Sequence, residues 1–144
     1  MIHRLPAPAH DIALLLARVV TGVVLIAHGG HKLVTSGVAG TAEGFEGMGV
    51  PAAPVAAVIA IVVELLGGVL LVAGAATAVA GVLVALVMLG AGLFAHLGTG
   101  VFVSAGGWEL VGVIGAAALA LAATGAGRFS VDRALERGQR VFAH

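Results

Sequence analysis

Four apolar runs, each of roughly 17–23 residues, dominate this sequence, and each is long enough at 1.5 Å per residue to cross a ~30 Å hydrocarbon core. They read as about 11–33, 55–73, 78–96 and 108–124, separated by Pro51 and Pro54, by Gly74-Ala75-Ala76-Thr77, and by a glycine-rich stretch before Trp108. Only 10% of the 144 residues are charged, against about 25% in soluble domains, so the surface has too little polarity to face water. The expected fold is all-α: one integral membrane domain over 1–144, an antiparallel four-helix bundle with short links.

Several function classes fall away on composition. A formal net charge of zero gives no basis for nucleic-acid binding, and the absence of cysteine excludes thiolate chemistry, disulfide exchange and cysteine metal sites. Met1 to His10 lacks the charged start, short apolar core and cleavage site of a signal peptide, so the first run is expected to be retained. Pro6 and Pro8 point to a helix start capped by Asp11.

Arg4, Arg128, Arg133, Arg137 and Arg140 fall on the side of both termini, while Thr35 to Pro54 and Leu97 to Gly107 hold no Lys or Arg. The positive-inside rule therefore predicts cytoplasmic termini in the plasma (inner) membrane, with Trp108 at the outer interface. Small residues predict close helix approach through Gly112, Ala116, Ala120 and Thr124, through Ala13 and Ala17, and through Gly81 and Ala85. From Ser130 the tail reads as a short cytoplasmic amphipathic helix. Val131, Leu135 and Phe142 lie on one side and Arg133, Arg137 and Arg140 on another, suited to anchoring on anionic lipid or to docking a partner. A further short helix is expected within Gly40 to Pro51, with Phe45 and Met48 dipping inward and Glu43 and Glu46 facing water.

Ionisable residues inside the runs are the candidates for function, because each costs roughly 2.5–3.5 kcal/mol to place at the centre of a membrane helix. The first run carries Arg18, His28, His31 and Lys32; the second carries Glu64, the third His96 and the fourth Glu109. At about 100° per residue, Lys32 projects within roughly 40° of Arg18 and His28 within roughly 80°, whereas His31 points about 140° away. Three arrangements suit these residues. One is an ion-paired network, Arg18 with Glu64 and Lys32 or His28 with Glu109, that fixes helix register. A second is a ligand pocket or proton relay of Arg18, His28, Lys32, Glu64, His96 and Glu109, in which His28 and Glu64 meet a quinone-like head group. The third is a metal site of His28, His96, Glu64 and Glu109, whose spacing has nothing distinctive, so no metal is assigned.

Read with their neighbours, these residues resemble the DoxX family of small four-span bacterial membrane proteins. The resemblance lies in Arg18-Val19-Val20-Thr21-Gly22 with His28-Gly29 and Lys32-Leu33, and in Glu64-Leu65-Leu66-Gly67-Gly68 with Leu70-Leu71 and Gly74. It continues through His96, Gly107-Trp108-Glu109-Leu110 and Gly125-Ala126-Gly127-Arg128-Phe129-Ser130-Val131-Asp132. His31 departs from the pattern. The resemblance implies a membrane subunit of a redox or oxidative-stress-related complex, with membrane or peripheral redox proteins as partners and quinone as the candidate cofactor. If it is active, it acts within a quinone-linked oxidoreductase complex; a non-catalytic scaffold is the alternative, and a homo-oligomer stays open.

Overall fold

The computed structural model describes residues 6–142, with side chains to residue 139, so Arg4 and the side chains of Arg140 and Phe142 lie outside the described residues. Among the described residues six α-helices follow in order: α1 Ala7–His31, α2 Gly37–Gly47, α3 Ala53–Ala73, α4 Thr77–Ala91, α5 Glu109–Thr124 and α6 Val131–Phe142. π-helical turns at Lys32–Ser36 and Gly92–His96 extend α1 and α4. Helices α1, α3 and α4, taken with these turns, are long and apolar enough to span a membrane; α5, at 16 residues, is apolar but shorter. Val20, Leu66, Leu86, Leu89 and Val113 are all more than half exposed. Such a belt of bare aliphatic side chains suits hydrocarbon and not water.

Helix α1 begins a turn earlier than Asp11. Pro6 takes the cap position and Pro8 lies in the first turn. The earlier start costs nothing there, because first-turn N–H groups have no intrahelical acceptor to lose. Asp11 is instead buried, accepting the Arg128 backbone N–H at 3.2 Å and facing the Arg128 Nε at 3.8 Å. It ties the start of α1 to the segment after α5. The start of α1, the α3–α4 connection, the end of α5 and the start of α6 thus share one end of the bundle, the terminal end. Helix α2 and the α4–α5 loop occupy the opposite, far end.

Two glycine seams draw the helices together. A Cβ on Gly22 would lie 2.5 Å from the Gly68 carbonyl oxygen, and one on Gly68 would lie 2.8 Å from that of Gly22, so α1 and α3 touch backbone to backbone. Gly81 of α4 meets α5 in the same way, 2.5 Å from the Ala118 carbonyl oxygen. The expected stripes are corrected by this geometry. Ala13, Ala17, Ala116, Ala120 and Thr124 face outward, while Gly81 lies in the seam and Ala85 is buried in the core beside it. In a chain whose lipid-facing surface is as apolar as its core, small-residue spacing does not say which face is covered. Leu25, Leu71, Val84, Met88, Ile114 and Leu121 fill the space between the seams.

At the far end, Gly37 at φ +65° turns the chain so that α2 packs against α3, burying Thr41 and Ala42. Phe45 is half-buried while Met48, Glu43 and Glu46 are exposed, so only one of the two expected inward residues turns in.

At the terminal end, Asp132 of α6 caps α4 from outside that helix. Its carboxylate accepts the N–H groups of Ala76 (2.7 Å) and Thr77 (3.0 Å), and its own N–H donates to the Gly74 carbonyl at 2.9 Å. Burial pushes this carboxyl up, but the Thr77 and Ala76 N–H groups and the Arg18 guanidinium outweigh it and hold it below the usual carboxylate range. The Thr77 hydroxyl adds to this field without forming a hydrogen bond of its own. Asp132→Ala should cost about 1 kcal/mol, as a lost helix cap does. A depressed carboxylate stabilises the fold fully above its unfolded pKa, here 3.8, and the contribution fades as pH falls through the folded value. Denaturation of the two proteins should therefore differ above about pH 4 and draw together only at lower pH, as the depressed carboxyl of the folded state takes up its proton; a gap that persists unchanged at low pH would remove the charge from the account.

Candidate functional site: a buried lysine–glutamate pair

Glu64 sits near the middle of α3, where α1 approaches closely because Gly29 carries no side chain; a Cβ there would lie 3.0 Å from the Glu64 Cβ. One turn further on, Lys32 opens the π-helical turn and places its Nζ 2.7 Å from Oε1 and 2.6 Å from Oε2 of Glu64. The Glu64 side chain is 5% exposed and that of Lys32 26% exposed, so the carboxylate is buried and the ammonium reaches it from the more exposed side. Two of three ammonium donors go to Glu64.

Arg18 does not join them, which corrects the expected Arg18–Glu64 pair. Arg18 is fully buried at the terminal end, donating through Nη1 to the Leu71 carbonyl at 3.5 Å and through Nη2 to the Phe129 carbonyl. Its guanidinium occupies the space beside Gly74. Arg18 and Lys32 do share the face of α1 that meets α3, as their angular separation predicts, but 14 residues put them about 21 Å apart along the axis. Side chains on a helix lean toward its N-terminus. On α1 that lean carries Arg18 away from mid-helix and Lys32 toward it; on the antiparallel α3 it carries Glu64 toward Lys32. The lean selects the partner.

The remaining candidates are dispersed. The His28 ring is turned to the exposed side of α1, with Nδ1 2.8 Å from the Val24 carbonyl oxygen one turn back. His31 is exposed at the end of the helix. His96 and Glu109 organise the α4–α5 loop. His96 Nδ1 lies 2.6 Å from the Gly106 carbonyl oxygen, and Glu109 Oε1 accepts the Val103 N–H at 2.7 Å. The expected pairing of Glu109 with Lys32 or His28 is therefore not formed: Glu109 satisfies an otherwise free loop N–H instead, and Lys32 is taken by Glu64. Among the described residues no three His, Asp or Glu side chains are grouped to hold a metal ion.

Sequence reasoning missed Asp132 and Asp11, which act on backbone N–H groups 55 and more residues away. Asp11 read as the cap of its own helix and Asp132 only as part of the closing motif, and beside His10 and Arg133 neither looks different in sequence from an ordinary surface acid.

A family model described as DoxX matches residues 13–97, a range that holds Arg18, His28, Lys32, Glu64 and His96 and stops short of Glu109. A Bacillus subtilis (strain 168) protein described as "Putative oxidoreductase CatD" is 42% identical over 81 residues. That alignment covers 56% of this chain and 58% of the relative, so somewhat over half of each protein is compared. No solved structure matches the chain.

Proposed function

Since the chain belongs to the DoxX family, we propose that it serves as the membrane subunit of a redox complex, in which the Lys32–Glu64 pair meets a quinone-like ligand and exchanges protons with it. The observation that carries this reading is a carboxylate buried inside an apolar bundle and paired with a partly exposed ammonium. Ionisable groups are expensive in hydrocarbon and are found mainly where ions, protons or ligands are handled. The name of the relative supports the redox side of the reading.

The donor set suits a quinone head group. Lys32 keeps one N–H beyond the two given to Glu64, and that donor can hold a carbonyl oxygen. Glu64 is the base to which a proton returns. His28, with one ring nitrogen engaged by Val24, has its other nitrogen available on the exposed side of α1. When bound, a quinone would carry the electrons; the chain itself has no cysteine, so any sulfur chemistry belongs to a partner protein. With cytoplasmic termini in the bacterial plasma membrane, the pair lies toward the outer leaflet.

A scaffold role is favoured at the terminal end, where Arg18 of α1 hydrogen-bonds the carbonyls of Leu71 on α3 and of Phe129 ahead of α6. Thermal unfolding of the purified protein with a short-chain quinone separates the two roles. A saturable shift is expected, worth about 2.7 kcal/mol at a hundredfold excess over Kd, and it should vanish in Glu64→Gln but persist in Glu46→Gln on exposed α2. No saturable shift, or an equal one in Glu64→Gln, removes the ligand.

A further inference from the structure

Helix α6 is fastened to the bundle through its first turn alone. Asp132 engages Gly74, Ala76 and Thr77, and from Arg133 to Gln139 every residue except Gly138 is exposed. At 100° per residue, Val131 and Leu135 share one face and Arg133 and Arg137 another, while Asp132 points between them toward α4. Leu135 is 61% exposed, and Phe129 just ahead of the helix is 57% exposed. This apolar face has no protein against it among the described residues. It lies at the end of the bundle where the aliphatic belt of α1, α3 and α4 stops, so the nearest apolar phase is the bilayer.

The charges say which bilayer surface fits. The chain from residue 128 onward carries four arginines and two acids. Asp132 is turned into the bundle and Arg128 faces Asp11; from residue 133 onward three arginines stand against Glu136, which pairs with Arg133 at 2.8 Å, and the net charge is +2. Positive charge therefore dominates the polar side of α6, opposite its apolar face. That is the pattern of a helix lying in the headgroup plane of an anionic leaflet. We propose that α6 docks on anionic lipid, with Val131, Leu135 and Phe129 at the acyl boundary and Arg133 and Arg137 on phosphate-bearing headgroups, and that the Asp132 cap fixes where the helix enters the interface.

The absence of native cysteine makes the test direct. A Leu135→Cys protein carrying an environment-sensitive fluorophore is placed in nanodiscs of phosphatidylcholine alone or with phosphatidylglycerol, and quenching by spin-labelled lipid is read. A net charge of +2 from residue 133 onward should raise the docked-to-free ratio on the order of thirtyfold in the anionic discs, with the gain lost at high salt. Arg133→Gln with Arg137→Gln should return quenching to the phosphatidylcholine level. Emission of Trp108, the sole tryptophan, reports at the far end that the bundle is intact in every sample. Equal quenching in both lipids, or insensitivity to the double substitution, would each overturn the proposal.

Discussion

Lys32→Met should destabilise the protein by about 3 kcal/mol, and adding Glu64→Leu should recover most of that loss. The single substitution leaves a carboxylate 5% exposed with no counter-ion, and removing one member of a buried pair typically costs 3–5 kcal/mol. The lower end applies because Lys32 is itself a quarter exposed, so part of its attraction is screened. Removing both charges abolishes the desolvation penalty together with the attraction, and the leucine and methionine regain packing between α1 and α3. Equilibrium unfolding in a mild detergent of wild type, both singles and the double completes the cycle. Additive losses would mean the two groups are not coupled across the helices. A double variant that is stable yet no longer shifts with quinone would locate function in the pair apart from its structural part.

Gly74→Ala should be the most damaging small substitution in the chain. Gly74 ends α3 at φ +67°, a left-handed conformation that costs a residue with a Cβ about 1–2 kcal/mol. The added methyl would also fall 1.7 Å from Arg18 Nη1 and 2.6 Å from the Ser130 Cβ. The guanidinium cannot yield cheaply, because it is fully buried and its carbonyl partners are on the segments the methyl would push apart. The combined loss should exceed about 3 kcal/mol, read as a melting temperature lower by on the order of 10 °C or as failure to accumulate. Gly90→Ala is the control, since a Cβ there meets nothing within 4 Å. Arg18→Leu in the Gly74→Ala background should restore only part of the loss, as the backbone strain and the Ser130 contact stay. If Gly74→Ala melts like Gly90→Ala, the Arg18 corner is not packed as described.

Much of this architecture was legible because hydrocarbon imposes a length. The end of α3 at Gly74 and the limits of α5 follow from apolar runs and their breakers, whereas α3 starts at Ala53, ahead of the expected 55, because Pro54 is tolerated in a first helical turn. The helix phase also put Arg18 and Lys32 on one face. The helix-packing faces were not legible, because a lipid-facing alanine such as Ala116 and a buried one such as Ala118 look alike in sequence. Nor were the uses of Asp11 and Asp132, since each satisfies backbone N–H groups far away in the chain, and a backbone donor leaves no mark in the sequence.

By itself, then, the sequence determined that apolar helices cross a bilayer with ionisable groups among them, because chain length and hydropathy are local properties. Only the tertiary structure decided which charge meets which. The antiparallel approach of α1 and α3 at the Gly22–Gly68 seam, with side chains leaning toward each helix's N-terminus, sends Lys32 to Glu64 and Arg18 to the carbonyls of Leu71 and Phe129. Charge type and spacing cannot carry that choice, since it depends on the relative direction and axial offset of two helices.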